Sequence, residues 1–176
     1  MDNGVVVKSL FIMCGLPFSG KTTLASSIAA KRHAVLISLD EINESRGLRF
    51  GGEGAISQAQ WQETHQIALS RLAEALSSDA DIVIDDTNCF RFLRDNYRRL
   101  ADAAGYRTVV VLVDTSTEEI KRRIFENRIT KKRRHVMMDV LDNLITDFQW
   151  PTDDESCISP ATLFSNDLKR PSESEN

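Results

Sequence analysis

Cysteine is scarce, with three residues in 176, at positions 14, 89 and 157. Their odd number and irregular spacing match neither a disulfide framework nor a metal-ligand pattern, so a reducing compartment is expected. No apolar run approaches the ~20 residues that a membrane helix needs. The start, Met1-Asp2-Asn3-Gly4, has no basic stretch leading into an apolar signal core. The expectation is a soluble, cytoplasmic protein with no membrane partner. An excess of positive charge is also missing. A net charge of -4 supplies no general pull on phosphate backbones, so any nucleic-acid contact has to be a local patch. Internal repeats are absent. What remains is ordinary for a globular chain, 41% hydrophobic and 27% charged. The length suits one domain, expected over residues 1–168, with a polar, frayed tail over 169–176.

Strand and helix signals alternate along the chain. Val5 to Cys14 is apolar on both faces apart from Lys8 and Ser9, the pattern of a strand buried in a parallel sheet. A helix is expected from Lys21 with Leu24, Ala25, Ile28 and Ala29 inward, then a second strand over Ala34 to Ser38 that ends at Asp40. Four of the eight glycines fall between Gly47 and Gly54, which predicts a loop. Ser57 can cap a long helix with Trp61, His65, Ala68, Leu72 and Leu76 at helical spacing. Strands are expected over Ile82 to Ile84 and Thr108 to Val113, separated by a helix from Phe90 to Ala104 that stops at Gly105. Thr115-Ser116-Thr117-Glu118 reads as a capping box for a helix to about Asn127, and a further helix closes at Trp150-Pro151. The expected class is α/β, a three-layer arrangement with a mainly parallel central sheet flanked by helices and a helical lid at about 127–136.

The strongest motif lies between the first strand and the first helix. Gly15-Leu16-Pro17-Phe18-Ser19-Gly20-Lys21-Thr22 has the form G-x-x-x-x-G-K-[ST] of a P-loop (Walker A). Its glycines let backbone N–H groups converge on phosphate oxygens at a helix N-terminus. Lys21 reaches the β- and γ-phosphates, and Thr22 offers a hydroxyl to Mg²⁺. ATP and Mg²⁺ are therefore the expected ligands. Gly15, Pro17, Ser19, Gly20, Lys21, Thr22 and Thr23 are the expected nucleotide contacts.

A phosphate loop suits a kinase, a GTPase switch or a motor alike, so other residues must separate them. Asp40, 19 residues after Lys21 and at a strand end, can face the γ-phosphate and take a proton from an attacking hydroxyl; capping the next turn is the other use of an Asp there. Asp85-Asp86-Thr87-Asn88 ends the third strand. One carboxylate there suits Mg²⁺, for which Asp85 is the candidate, and the other can orient a substrate; a turn is the alternative. Residues 121 to 134 hold eight Lys or Arg against Glu126 alone, as the phosphate-covering lid of a P-loop kinase would, with Arg128 and Arg134 as candidates. A solvated face or an RNA-backbone patch is the competing reading. Trp61 and His65 read as packing residues, and Cys89 as a small buried one.

Taken in order, these residues resemble the P-loop kinases related to phage polynucleotide kinase, zeta toxins, chloramphenicol phosphotransferase and the kinase of seryl-tRNA, an AAA_33-type group of ATP-binding proteins. The likeness runs from about residue 8 to 151 and rests on Gly15 to Thr22, Ser38-Leu39-Asp40-Glu41, Asp85-Asp86-Thr87-Asn88 with Arg91 and Arg94, and Arg128 with Val136 to Leu141. It implies that Asp40 is the general base, that Asp86 lines the acceptor site with Asn88, and that Arg128 is the lid arginine, with Arg123 as the alternative. Where the polynucleotide kinases carry an arginine three residues after the base, this chain has Asn43. The expected activity is thus ATP-dependent phosphorylation of a hydroxyl on a small molecule (a metabolite, nucleoside, sugar or antibiotic). A polynucleotide or tRNA kinase is the alternative, and a non-kinase ATPase switch the third reading.

Overall fold

The computed structural model describes residues 7–48, 56–131 and 136–167. Most of the expected glycine-rich loop, the lid residues from Lys132 to His135 (Arg134 among them) and the tail over 169–176 lie outside the described residues.

In chain order the elements are β1 (Ser9–Cys14), α1 (Lys21–Arg32), β2 (Val35–Ser38), α2 (Leu39–Ser45), α3 (Gln58–Ala75), β3 (Ile82–Asp85), α4 (Arg91–Ala103), β4 (Arg107–Leu112), α5 (Thr117–Thr130), α6 (Met138–Asp147), a 3-10 turn (Asp153–Glu155), β5 (Cys157–Ile158) and α7 (Pro160–Asp167). The sheet order is β2-β3-β1-β4-β5, and every neighbouring pair is parallel. Ile12 sits opposite Ile84 on one side and Val110 on the other.

Because strand side chains alternate, the sheet sorts its apolar residues into two layers. Leu10, Ile12, Ile82, Ile84 and Val110 meet Ala68, Leu72 and Ala75 of α3 and Tyr97 and Ala101 of α4. Phe11, Met13, Val83, Val109 and Val111 meet Ala25 and Ile28 of α1 and Leu163 of α7. Each fully buried aliphatic or aromatic side chain contributes about 1.5–3 kcal/mol. A third cluster, Ile120, Ile124 and Leu141, joins α5 to α6 and reaches Leu16 and Phe18.

Sequence and structure differ in four places. The second strand stops at Ser38, and Asp40 already lies in α2, whose N-cap is Ser38. The cap of α5 is Ser116, which accepts from the Glu119 N–H, while Thr115 is turned elsewhere. The buried stripe of α3 runs through Thr64, Ala68, Leu72 and Ala75, so Ala68 and Leu72 are inward as expected, Trp61 and Leu76 pack half-buried against the core, and Thr64 takes the inward place expected of His65. The pairing of β5 with β4 was not foreseen, since two residues show no period. Among the described residues no helix is long and apolar enough to cross a membrane.

The chain leaves β1 toward β2 on one side and passes from β3 to β4 across β1 on the other. That reversal opens a crevice beyond the carboxyl ends of β1, β3 and β4, where ligands of open α/β sheets bind.

Candidate active site at the carboxyl ends of the strands

Residues 15 to 20 turn from the end of β1 into α1. Gly15 has φ +152°, and a Cβ there would lie 2.7 Å from the Val113 carbonyl oxygen, so no larger residue fits without displacing β4's exit. The Gly15 N–H donates to the Thr87 carbonyl at 3.1 Å, tying the loop to the end of β3. Phe18 holds φ +62° without being glycine, a costly conformation that the surrounding contacts must maintain. The N-cap of α1 is Gly20, with φ +106° and no side-chain cap, which leaves the first N–H groups of the helix facing the crevice.

Two side chains in the loop are under-satisfied. Ser19 is 4% exposed, and its hydroxyl has no hydrogen-bond partner among the described residues. Lys21 is buried; its Nζ donates to the Leu16 carbonyl at 2.7 Å. Burial lowers the Lys21 pKa, while Asp86, Asp85 and Asp40 oppose that shift. A buried ammonium beside free helix N–H groups and an orphan hydroxyl is a fit for a phosphate chain. Pro17 is half-buried in the loop, and Thr23 is an exposed residue of the first turn of α1.

The loop is braced from behind by residues outside the motif. Thr115 Oγ1 donates to the Ser19 carbonyl at 2.9 Å. Arg123 donates from one guanidinium nitrogen to the Phe18 carbonyl at 2.9 Å and the Ser19 carbonyl at 3.2 Å, and from Nε to Glu119 at 2.7 Å. Arg123 is thus the α5 arginine at the loop. Arg128 is exposed in the last turn of α5, with no partner among the described residues.

Asn88 is fully buried with φ +45°, and its Nδ2 donates to the Met13 carbonyl at 2.8 Å. The carbonyl of Asn88 accepts from Arg94 at 2.9 Å. Arg94 in turn makes two bonds to Glu155, at 2.6 and 2.9 Å, and both side chains are wholly buried. The turn after β3 is therefore locked to β1 and to the 3-10 turn. Cys14 and Cys89 line this region as thiols that burial pushes up to about 12 and about 11, which leaves them unreactive.

On the acceptor side, Asp40 is exposed in the first turn of α2 and close enough to influence Lys21, Asp85 and Asp86. Burial raises Asp85 to about 6, opposed by a hydrogen bond from Thr22 and by the Lys21 charge. Thr22 and Asp85 thus form an adjacent pair of hard oxygen donors, the kind Mg²⁺ takes alongside phosphate oxygens and water. Asp86 is half-buried and also raised, chiefly by burial, with His65 the strongest opposing influence.

Asn43 is 0% exposed. Its Oδ1 accepts from Thr64 Oγ1 at 2.5 Å, and Arg46 donates to Thr64 and to the Gln60 carbonyl and pairs with Glu63. This cluster clamps α2 to α3. The fold thus brings Lys21, Thr22, Asp40, Asp85 and Asp86 together and places Asn43 and Asn88 in the supporting layer. The residue that sequence reasoning undervalued is Thr115, which follows a strand end as the other site residues do.

The fold recurs in known proteins. The family described as an AAA domain (AAA_33) matches residues 10–151. The 2',3'-cyclic-nucleotide 3'-phosphodiesterase of Rattus norvegicus is 35% identical over 107 residues, which is 59% of this chain and 23% of the rat protein. The chain thus spans about a quarter of the length of the curated relatives it matches. Among solved structures, the APS kinase CysC of Mycobacterium tuberculosis, in complex with AMPPNP and APS, aligns with a TM-score of 0.61 at 18% identity over 93% of this chain and 98% of that one. A chain of the Pnkp1/Rnl/Hen1 RNA repair complex aligns with a TM-score of 0.66 at 19% identity, over 83% of this chain and 45% of that one. The fold is that of the P-loop kinases. With the family match running from β1 past the end of α6, the chain belongs to the AAA_33 family of AAA domains.

Proposed function

We propose that this protein transfers the γ-phosphate of ATP to a hydroxyl of a small-molecule acceptor such as a metabolite, sugar, nucleoside or antibiotic. The observation that carries the reading is Asp40, an exposed carboxylate in the first turn of α2, near Lys21 and the two strand-end aspartates. A nucleotide switch needs the phosphate loop but has no use for a base in that position.

Lys21 and the N–H groups at the start of α1 bind the phosphates, and the Ser19 hydroxyl offers one more donor. Thr22 and Asp85 would hold Mg²⁺, which would neutralise phosphate charge there. Asp40 orients the acceptor hydroxyl and takes its proton. A bond forms from the acceptor oxygen to the γ-phosphorus, the bond from that phosphorus to the bridging oxygen breaks, and ADP leaves. Because such a transition state is loose, position and charge matter more than the strength of the base. Arg128 and Arg134 are the lid cations in this reading, and Arg123 braces the loop. Asn43 and Asn88 act as supports rather than as acceptor contacts. The APS kinase, described in complex with an ATP analogue and an acceptor, supports this reading by analogy of fold.

The test is acceptor-dependent ADP release across sugars, nucleosides and aminocyclitols. An acceptor that accelerates release in the wild type and not in Asp40→Asn is the expected result; no acceleration by any of them, with ATP still bound, removes the reading. The likeness to a chain of an RNA repair complex favours a second reading, a polynucleotide or tRNA kinase. Oligonucleotide binding that weakens steeply with salt would support it over the first.

A further inference from the structure

Helix α4 buries Leu93, Arg94, Tyr97 and Ala101 against the rest of the fold. Its outer side belongs to an open groove of about 510 Å³, lined by Arg91, Phe92, Asp95, Arg98, Arg99 and Asp102. Phe92 is 59% exposed even though its ring stacks on Phe90 with centroids 5.8 Å apart. Leu100 and Ala103, two and three turns further along, are exposed as well. A ring held out among arginines has the composition of an interface core rather than of a solvated face.

The charges decide what fits there. With Asp154 at its edge, the groove holds three cations and three anions, so a nucleic acid or an anionic lipid surface gains no net attraction from it. Along α4 the signs alternate: Arg91, Asp95, Arg98 with Arg99, then Asp102. Read backwards, that order is its own complement. A two-fold axis across the helix near Asn96 and Tyr97 brings Arg91 of one copy to Asp102 of the other, and Asp95 to Arg98 and Arg99. The same operation lays Phe92 over the exposed stretch from Leu100 to Ala103. Asp95 already accepts from Arg91 at 3.3 Å and from Arg98 at 2.7 Å, and Arg98 also donates to the Asp154 carbonyl at 2.7 Å. Side chains set in this way lose little freedom on association. Arg99 bonds to Asn96 and Asp102 accepts from Thr108, yet neither has an ion-pair partner among the described residues.

We propose that the outer side of α4 is an isologous docking surface for a second copy of this chain. The two α4 helices cross antiparallel, with Asp95–Arg99 pairs at the centre of the contact and a Phe92 ring toward each end. A two-fold interface has to be self-complementary, and this charge order is. The contact makes no use of the phosphate loop, so it stands independently of the phosphotransferase reading.

Sedimentation velocity on the full chain reads the mass directly. The wild type is expected as a dimer at about 100 μM that dissociates on dilution. Phe92→Ala removes an exposed ring and should raise the dissociation constant about tenfold or more. Asp95→Arg and Arg99→Asp should each sediment as a monomer, because each sets like charges opposite one another across the axis. An equimolar mixture of those two variants should recover the dimer, since arginine at 95 then meets aspartate at 99. Calorimetric ATP affinity unchanged from the wild type certifies that each variant is folded. A wild-type monomer at that concentration, a dimer that survives all three changes, or charge variants that stay monomeric when mixed would overturn the proposal.

Discussion

At the phosphate loop, most of the groups aimed into the crevice belong to the main chain: the N–H groups at the start of α1 and the turn that Gly15 and Gly20 permit. Across the crevice the groups are side chains, delivered by α2 (Asp40), by the end of β3 (Asp85) and by the turn after it (Asp86). Backbone at one short turn is specified by eight consecutive residues and is braced from behind by Thr115 and Arg123. Side chains from separate elements are specified by nothing local. On the proposed phosphotransferase reading, the loop half can stay constant while the facing half is rebuilt, one element at a time, around a different hydroxyl.

The comparison is broken most severely by Asp40→Asn. Acceptor-dependent ADP release should fall by about 10²- to 10⁴-fold, while calorimetric ATP affinity stays unchanged, because the base touches only the acceptor half. A loss of ATP affinity of similar size would show that the two halves are not separable. Next is the lock that holds the turn after β3 to the 3-10 turn. Arg94→Ala leaves Glu155 buried and unpaired, and should cost about 3–5 kcal/mol in urea unfolding; the paired change Arg94→Met with Glu155→Leu should regain most of it.

Asp85 sharpens the boundary, because it belongs to both stability and ligand binding. Its carboxyl is raised to about 6 from an ordinary value of 3.8. The folded protein therefore binds this proton more tightly than the unfolded chain does. At pH 7 the ionised form costs stability, and that cost is relieved as pH falls through 6 toward the ordinary value. Asp86, also raised, acts in the same direction. Asp85→Asn should stabilise the nucleotide-free protein at pH 7 by roughly 2–3 kcal/mol, flatten the pH dependence between 7 and 5, and abolish the Mg²⁺ dependence of ATP binding. Thermal unfolding at the two pH values, with and without Mg²⁺-ATP, reads all three. The smallest effect belongs to Thr115→Val, which removes one hydrogen bond to the loop and should cost about 1 kcal/mol with a few-fold rise in the KM for ATP.

Much of this architecture was legible in the chain. The strands β1, β3 and β4 announce themselves as apolar runs, and α1 and α4 by their spacing. The capping box at Ser57 and Gln60 is present as the Ser57 reading requires. Misreadings came where the signal was shorter than its period. The seven-residue helix α2 looked like the end of a strand, and β5 has two residues. On α3 the inward place expected of His65 belongs to Thr64, since neighbouring positions at the edge of a stripe share the same spacing. The burial of Asn43 and Asn88 was not legible, since a sequence cannot show that Thr64 and the Met13 carbonyl would be waiting for them in the interior.

By itself the sequence determined the phosphate loop, its place between a buried strand and a helix, and the parallel sheet around it, because each of these depends on residues close in the chain. Tertiary structure decided which of the polar residues at the strand ends face one another. It set Asp40 near Lys21, moved Arg123 to the loop carbonyls ahead of Arg128, buried Asn43 and Asn88, and put the His65 ring beside the Tyr97 hydroxyl. Those outcomes depend on crossover connections that carry residues tens of positions apart to one edge of a sheet, and no local pattern encodes where such a connection will deliver a side chain.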